Sequence, residues 1–364
     1  MVPSLVSGGV QRLFRSAIVA LLTIGASVQA KMQEWTDLQG NSFRAEAIEV
    51  IGPLAIFRTP SLGGRMVPLQ NLSAEECVRF YESTKDRPER AANWEKAKSE
   101  ISVDVLLNGL VVRDDRLVEP DLSGRPEPRF FIVLYGSSGE SRAWRMIDDF
   151  LPLYPKFEQN YPGEVEALFF GVNHKRSDHV HMATQKQMPW LVADFYEEDQ
   201  MDTLWRFAPA ENVGIFVYTR DGVPIFTPGG VDPAQIMQPV AELAGLLEAI
   251  QPDNPKSWKA RAHYLRAIQP VAFASARSAP ILLGNPLKAD GLRQRKVRRV
   301  VAEIAVAADG TVTSVKIAPN EENLPAAMVA PLADALKRAC VFVPAVEHGK
   351  FVDAVYPYRF EVGE

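Results

Sequence analysis

Two runs of apolar residues constrain this chain most. Phe130-Phe131-Ile132-Val133-Leu134-Tyr135 and the stretch from Val165 to Val172 are both strand-length and rich in aromatic and branched side chains, which suits buried strands. Residues 140–160 read as helical between them and residues 177–187 as helical after them. Leu110-Val111-Val112 adds a strand upstream. Ile215-Phe216-Val217-Tyr218 and Pro224-Ile225-Phe226 read as a hairpin around Asp221-Gly222, a pair suited to positive φ. Pro233 opens an amphipathic helix running through Ile250. Strand, helix, strand, hairpin and helix in this order predict an α/β layer over residues 102–250.

The flanks read differently. Residues 33–81 predict a small β domain, with strands at Phe43–Ile48, Leu54–Phe57 and Arg65–Leu69 and turns at Gly52-Pro53 and Gly63-Gly64. Ser73-Ala74-Glu75-Glu76 is a capping box that opens a short helix. Residues 82–100 are dense in charge and read as an exposed helix or linker. Residues 251–292 are spaced by prolines and read as a connector containing a helix over 256–268. Residues 293–364 predict a small α+β unit: a hairpin through Asp309-Gly310, a helix over 325–339, and closing strands at 342–345 and 354–362. No internal repeat is evident.

The chain has 364 residues, 47% of them hydrophobic and 23% charged, a composition that suits two or three globular domains rather than disorder. Residues 1–30 are expected to be a cleaved export signal. Arg12 and Arg15 form a basic start, Ala17–Ala26 is an uncharged apolar run, and Val28-Gln29-Ala30 supplies small residues before a cut. An uncleaved anchor is the alternative. A periplasmic or cell-envelope location follows as an expectation. No other stretch is apolar enough to span a bilayer, so the mature chain is expected to lack a transmembrane helix. The formal charge of −5 becomes about −7 without Arg12 and Arg15, which argues against a nucleic-acid partner. The basic run Arg293, Arg295, Lys296, Arg298 and Arg299 reads as a solvated strand edge. Cys77 and Cys340, the only cysteines, are too few for a disulfide framework and are expected to pack as small apolar side chains.

Three regions resemble known families. Over residues 102–250, Ser137-Ser138-Gly139-Glu140-Ser141-Arg142-Ala143-Trp144 follows the strand at 130–135, and Leu168-Phe169-Phe170-Gly171-Val172 is followed after a polar segment by Met188-Pro189-Trp190. This resembles the tryparedoxin and nucleoredoxin branch of the thioredoxin superfamily, which carries Trp-Cys-x-x-Cys-Arg-Ala-Phe and later Met-Pro-Trp at these places. Ser138 and Ser141 stand where the family has its redox cysteines. Glu211-Asn212-Val213-Gly214 stands where the family has its cis-proline. The resemblance therefore implies a thioredoxin-like domain with a degenerate redox site. A hydroxyl cannot replace a thiolate made nucleophilic by a helix N-terminus. Ser138 reads instead as an N-cap, with Glu140 in the first helical turn.

Glu34-Trp35-Thr36-Asp37, Gly40, Val67-Pro68-Leu69 and Leu72-Ser73 resemble the SLA1 homology domain 1, which implies an SH3-like β barrel over 33–81 and binding of short peptides. Asp309-Gly310-Thr311-Val312, then Phe342, Pro344-Ala345 and Gly349, resemble the TonB C-terminal family. That resemblance implies a small α+β domain over 293–364 whose strand edge receives a peptide. Trp35, Asp37, Tyr356 and Tyr358 are the peptide-binding candidates.

His174, Asp178, His179 and His181 form the only histidine cluster. On a helix His174, Asp178 and His181 would share a face and suit a metal; solvated loop residues are the competing reading, and no metal or other cofactor is expected. No phosphate-binding or dinucleotide fingerprint occurs. The expected function is that of a non-catalytic adaptor or scaffold with protein or peptide partners. The alternatives are a metal-dependent enzyme using His174 and His181, or a docking partner of thioredoxin-type proteins.

Overall fold

The computed structural model describes residues 32–172, 175–194, 204, 213–251, 254–272, 278–284, 287, 289–294, 297–317 and 324–361. The expected export signal lies outside the described residues.

The first unit is an antiparallel meander of β1 (Gln33–Thr36), β2 (Ser42–Ile51), β3 (Leu54–Arg58) and β4 (Gly64–Pro68), paired in chain order. Trp35, Phe57, Phe80 and Leu69 are fully buried beneath it; such residues contribute about 2–3 kcal/mol each by leaving water. The helix α1 (Ala74–Thr84) starts as its capping box predicts, because the Ser73 side chain accepts the Glu76 N–H at 3.2 Å. Among the described residues β1 and β4 do not pair, so the sheet is not closed into a barrel by hydrogen bonds.

Residues 82–100 depart from the exposed linker expected of them. Trp94 has no exposure, donates its indole N–H to the Ser102 carbonyl at 3.2 Å and sits 5.8 Å from the Phe131 ring. The charges that suggested exposure are paired: Arg87 with Glu46, and Arg90 with Glu164 at 2.6 Å.

The middle unit comprises α2 (Glu100–Asn108), β5 (Gly109–Arg113), β6 (Arg116–Val118), β7 (Phe130–Gly136), α3 (Ser141–Phe150), α4 (Tyr154–Asn160) and β8 (Val165–Gly171). It continues through α5 (Arg176–Gln185), β9 (Leu191–Ala193), β10 (Gly214–Thr219), β11 (Pro224–Phe226) and α6 (Pro233–Ala249). The sheet order is β11-β10-β7-β8-β9-β5-β6, with β7, β8 and β9 parallel and the others antiparallel. Side chains alternate across it. Phe130, Ile132 and Leu134 pack under α3, α4 and α6, while Phe131, Val133 and Tyr135 pack with Trp94 and α2. A central sheet covered on both faces explains why its two middle strands read as unbroken apolar runs.

The stretch expected to be a connector contains α7 (Pro255–Ala272), which completes the core of the first unit. Ala260, Tyr264 and Ile268 recur every four residues and bury against it, with Tyr264 6.4 Å from the Phe80 ring. Gln269 donates to the Pro344 carbonyl of the last unit and to Ser278 Oγ at 3.3 Å. Prolines flagged a linker, but the apolar spacing between them governs.

The last unit has β12 (Ile281–Leu282), α8 (Ala289–Arg293), β13 (Arg299–Val306), β14 (Val312–Ile317), α9 (Ala326–Ala339), β15 (Phe342–Val343), β16 (Ala345–Glu347), β17 (Lys350–Val352) and β18 (Ala354–Glu361). Its main sheet runs β14-β13-β18, all antiparallel, while β12 pairs with β15 and β16 with β17. Asp309 fixes the expected turn by accepting from the Thr311 N–H at 2.8 Å, and Gly310 takes φ +83°.

A buried ionic cluster joins the first two units at the β10–β11 turn. Arg220 lies 3.6 Å from Glu49 of β2 and 3.3 Å from Glu127, and donates to the Pro88 carbonyl at 2.8 Å. Arg58 of β3 reaches the Asp221 carbonyl at 2.6 Å and Glu46 at 3.5 Å. Nearby, β4 and β11 meet backbone to backbone, so a Cβ at Gly64 would collide with the Pro224 carbonyl. No described helix is long and apolar enough to cross a membrane.

Candidate functional site

The loop between β7 and α3 holds the serines that the sequence singles out. Gly136 brings the chain out of the sheet, where a Cβ would stand 3.1 Å from Phe169 and 3.2 Å from Ala143. Ser137 then closes a turn: its carbonyl accepts the Glu140 N–H at 3.0 Å and its hydroxyl accepts the Gly139 N–H at 3.4 Å. That turn delays the helix. α3 starts at Ser141 with Glu140 at its N-cap, so Ser138 is not the cap that the sequence suggests. Ser138 instead offers its carbonyl to the Trp144 indole N–H at 2.9 Å. Ser138 is half-buried and Ser141 exposed.

Beside this loop Trp144 forms a small platform. The His181 ring crosses it edge-on at 6.4 Å, and the Lys186 ammonium lies 5.3 Å above it while pairing with Asp148. The platform is aromatic and cationic and carries no thiol.

Both cysteines are elsewhere and buried, Cys77 in α1 and Cys340 after α9, and neither forms a disulfide. Burial pushes the Cys77 thiol up to about 11, with Glu76 adding to it, and the Cys340 thiol up to about 12. At neutral pH such thiols are ionised to about one part in ten thousand or less, so neither is a ready nucleophile.

The histidine cluster divides. His174 lies outside the described residues. His179 is fully buried, its Nε2 2.8 Å from the Ala193 carbonyl, and burial pushes its pKa down to about 4. His181 faces Trp144 from the exposed side of α5, and Asp178, one turn earlier, accepts from the Ser177 hydroxyl at 3.2 Å. Among the described residues no group of three or more histidine, cysteine, aspartate or glutamate side chains is gathered for a metal.

The peptide-binding candidates also divide. Trp35 has no exposure; its indole N–H bonds the Ala45 carbonyl at 2.9 Å and its ring packs 5.0 Å from Phe57. The Arg79 guanidinium lies over the ring, 4.2 Å from its centroid. It is a core anchor and offers no surface to a peptide. The Asp37 carboxylate accepts the Asn41 side-chain and backbone N–H groups at 2.9 and 2.8 Å and the Gln39 N–H at 3.0 Å. It builds the β1–β2 turn, and the Asn41 side chain leads these bonds in lowering its pKa. Tyr358 is 2% exposed and belongs to the core of the last unit, while Tyr356 is half-buried, 5.0 Å from the Phe342 ring.

What the last unit presents is backbone. β18 pairs with β13 along its whole length, and among the described residues its other edge is unpaired. Val355 on its outer face is 59% exposed. An open edge can take an incoming strand, here with one donor fewer because Pro357 within β18 has no backbone N–H. Sequence reasoning missed the Trp144 platform and the Arg220 cluster, because both join residues distant in the chain.

No protein-family model matches the chain, and no curated protein matches it. Solved structures similar to part of it include thioredoxins and tryparedoxins. A thioredoxin from Wuchereria bancrofti is 15% identical, over 34% of this chain and 83% of that one, with a TM-score of 0.26. The thioredoxin domain of a thiol-disulfide oxidoreductase from Bacteroides vulgatus is 12% identical, over 37% and 91%, with a TM-score of 0.28. Tryparedoxin I from Leishmania major is 15% identical, over 40% and 92%, with a TM-score of 0.29.

Proposed function

We propose that the chain is a non-catalytic, protein-binding scaffold, exported to the periplasm or cell envelope, whose thioredoxin-like middle unit has lost thiol chemistry. The observation that carries this reading is the loop Ser137–Ser141: hydroxyls occupy it, and the only thiols are buried in other units with raised pKa values. Dithiol exchange needs an accessible thiolate and a second sulfur to resolve the mixed disulfide. Binding falls to the last unit, where the outer edge of β18 can accept an extended peptide by strand addition. The first unit, related in this reading to the SLA1 homology domain 1, serves chiefly as a structural partner of the middle unit.

Two measurements test it. In an insulin-reduction assay the protein should add nothing to the background rate set by dithiothreitol. Turnover that disappears in the Cys77→Ala/Cys340→Ala variant would refute the loss of thiol chemistry. For the edge, Val355→Pro removes one backbone donor and stiffens β18. Any partner recovered with the full chain from envelope extracts should be lost from this variant, and a partner held equally well by both would place binding elsewhere.

A further inference from the structure

A cavity of about 730 Å³ opens where the three units meet, within the usual size range of small-molecule sites. The C-terminal end of α6 supplies Leu247 and Ile250 to its wall, α7 supplies Ser257, Trp258 and Arg261, and β12 supplies Ile281 and Leu282. Tyr161 and the Arg129–Glu164 pair close the remaining side. The wall is thus more apolar than polar, with Arg129, Asn160, Glu164, Gln251, Ser257 and Arg261 as its polar residues.

Both oxygens of Glu164 are taken, one by Arg90 at 2.6 Å and one by Arg129 Nε at 2.9 Å, so one carboxylate faces two guanidinium groups. Arg261 adds another cation. It is an exposed residue, lines the cavity, and makes no ion pair among the described residues. Ser257 is 5% exposed, lines the cavity, and makes no side-chain hydrogen bond among the described residues. A buried hydroxyl and a guanidinium one helical turn further on, neither paired among the described residues, match the donor set that a carboxylate accepts.

We propose that this cavity binds a small organic carboxylate with an apolar body. Arg261 and Ser257 hold the anionic head, and Trp258, Tyr161 and Leu282 surround the body. The site is independent of the Ser137–Ser141 loop and of the β18 edge, so it stands or falls apart from the scaffold reading. Because all three units contribute to the wall, an occupant also ties them together, and raises the melting temperature by mass action.

Titration calorimetry on the full chain tests this with decanoate and indole-3-acetate as probes, against decanamide and indole-3-acetamide as neutral matches. At least one carboxylate should bind one to one, about tenfold or more tighter than its neutral match, as expected for a charge-assisted contact. The stronger of the two shows whether the body is aliphatic or aromatic. Arg261→Gln, at an exposed position, should weaken the carboxylate about tenfold and leave the apo melting temperature unchanged. Leu282→Trp, which narrows the cavity where the apolar body would lie, should weaken binding of both acids. Equal affinity for acid and amide, no heat from either acid at millimolar concentration, or full affinity in Arg261→Gln would overturn the proposal.

Discussion

Glu49 shows how a single position records its neighbours. Desolvation and the adjacent Asp221 push its pKa up to about 7, against the pull of Arg220. Its folded value therefore lies above the ordinary value of about 4.3, so the native state binds the proton more tightly than the unfolded chain. Between these two values the group's contribution to stability falls as pH rises, and the full cost is present above pH 7. Glu49→Gln removes that cost, so the variant should be more stable than the parent at pH 8 by about 1–2 kcal/mol and nearly equal at pH 5, read from urea midpoints. Arg220 behaves oppositely. Arg220→Ala would leave the buried Glu127 carboxylate, 1% exposed, without its cation, and should cost about 3–5 kcal/mol. A loss below 1 kcal/mol would mean that the cluster is solvated. Little of this chemistry is legible in the sequence. Glu49 and Arg220 look like ordinary surface charges until the fold sets them 3.6 Å apart. Ser138 and Ser141, by contrast, are legible as hydroxyls, because only residue identity is at issue. The late start of α3 is not, since it depends on the turn that Ser137 closes.

Elements whose periodicity is local were readable. The runs at 130–135 and 165–172 became β7 and β8 within a residue at each end, and the helix expected from Pro233 became α6. The strands chose their faces by alternation, and a central sheet permitted no other placement. Elements whose meaning depends on a distant partner were misread. The spacing of Ala260, Tyr264 and Ile268 marks an apolar stripe, but nothing local says that Phe80 lies opposite. Likewise Arg87 and Arg90 suggested a solvated linker because Glu46 and Glu164 lie 41 and 74 residues away in sequence. The role of α7 has a direct test. Tyr264→Ala deletes a ring that is 7% exposed and should destabilise the protein by about 3 kcal/mol, measured by denaturant unfolding. An effect under 1 kcal/mol would show that α7 rests loosely on the first unit.

The whole molecule is three units held by shared structure instead of by tethers. The ionic cluster and the close approach of β4 to β11 bind the first to the second, while α7 binds the first to the last through Gln269. Calorimetry should accordingly give one main transition for the first two units. In Arg220→Ala that transition should broaden or split, and two separate transitions in the parent would contradict a common interface. The residues of the first unit lie between 33 and 84, yet its core is closed by side chains from 260 to 268. A ribosome releases the chain from its N-terminus, and domains generally mature in that order. Here the first unit must wait, with the side of Phe80 that faces Tyr264 uncovered, until nearly two hundred further residues have emerged. Its maturation is thereby deferred, and its apolar side stays open to a chaperone until α7 arrives.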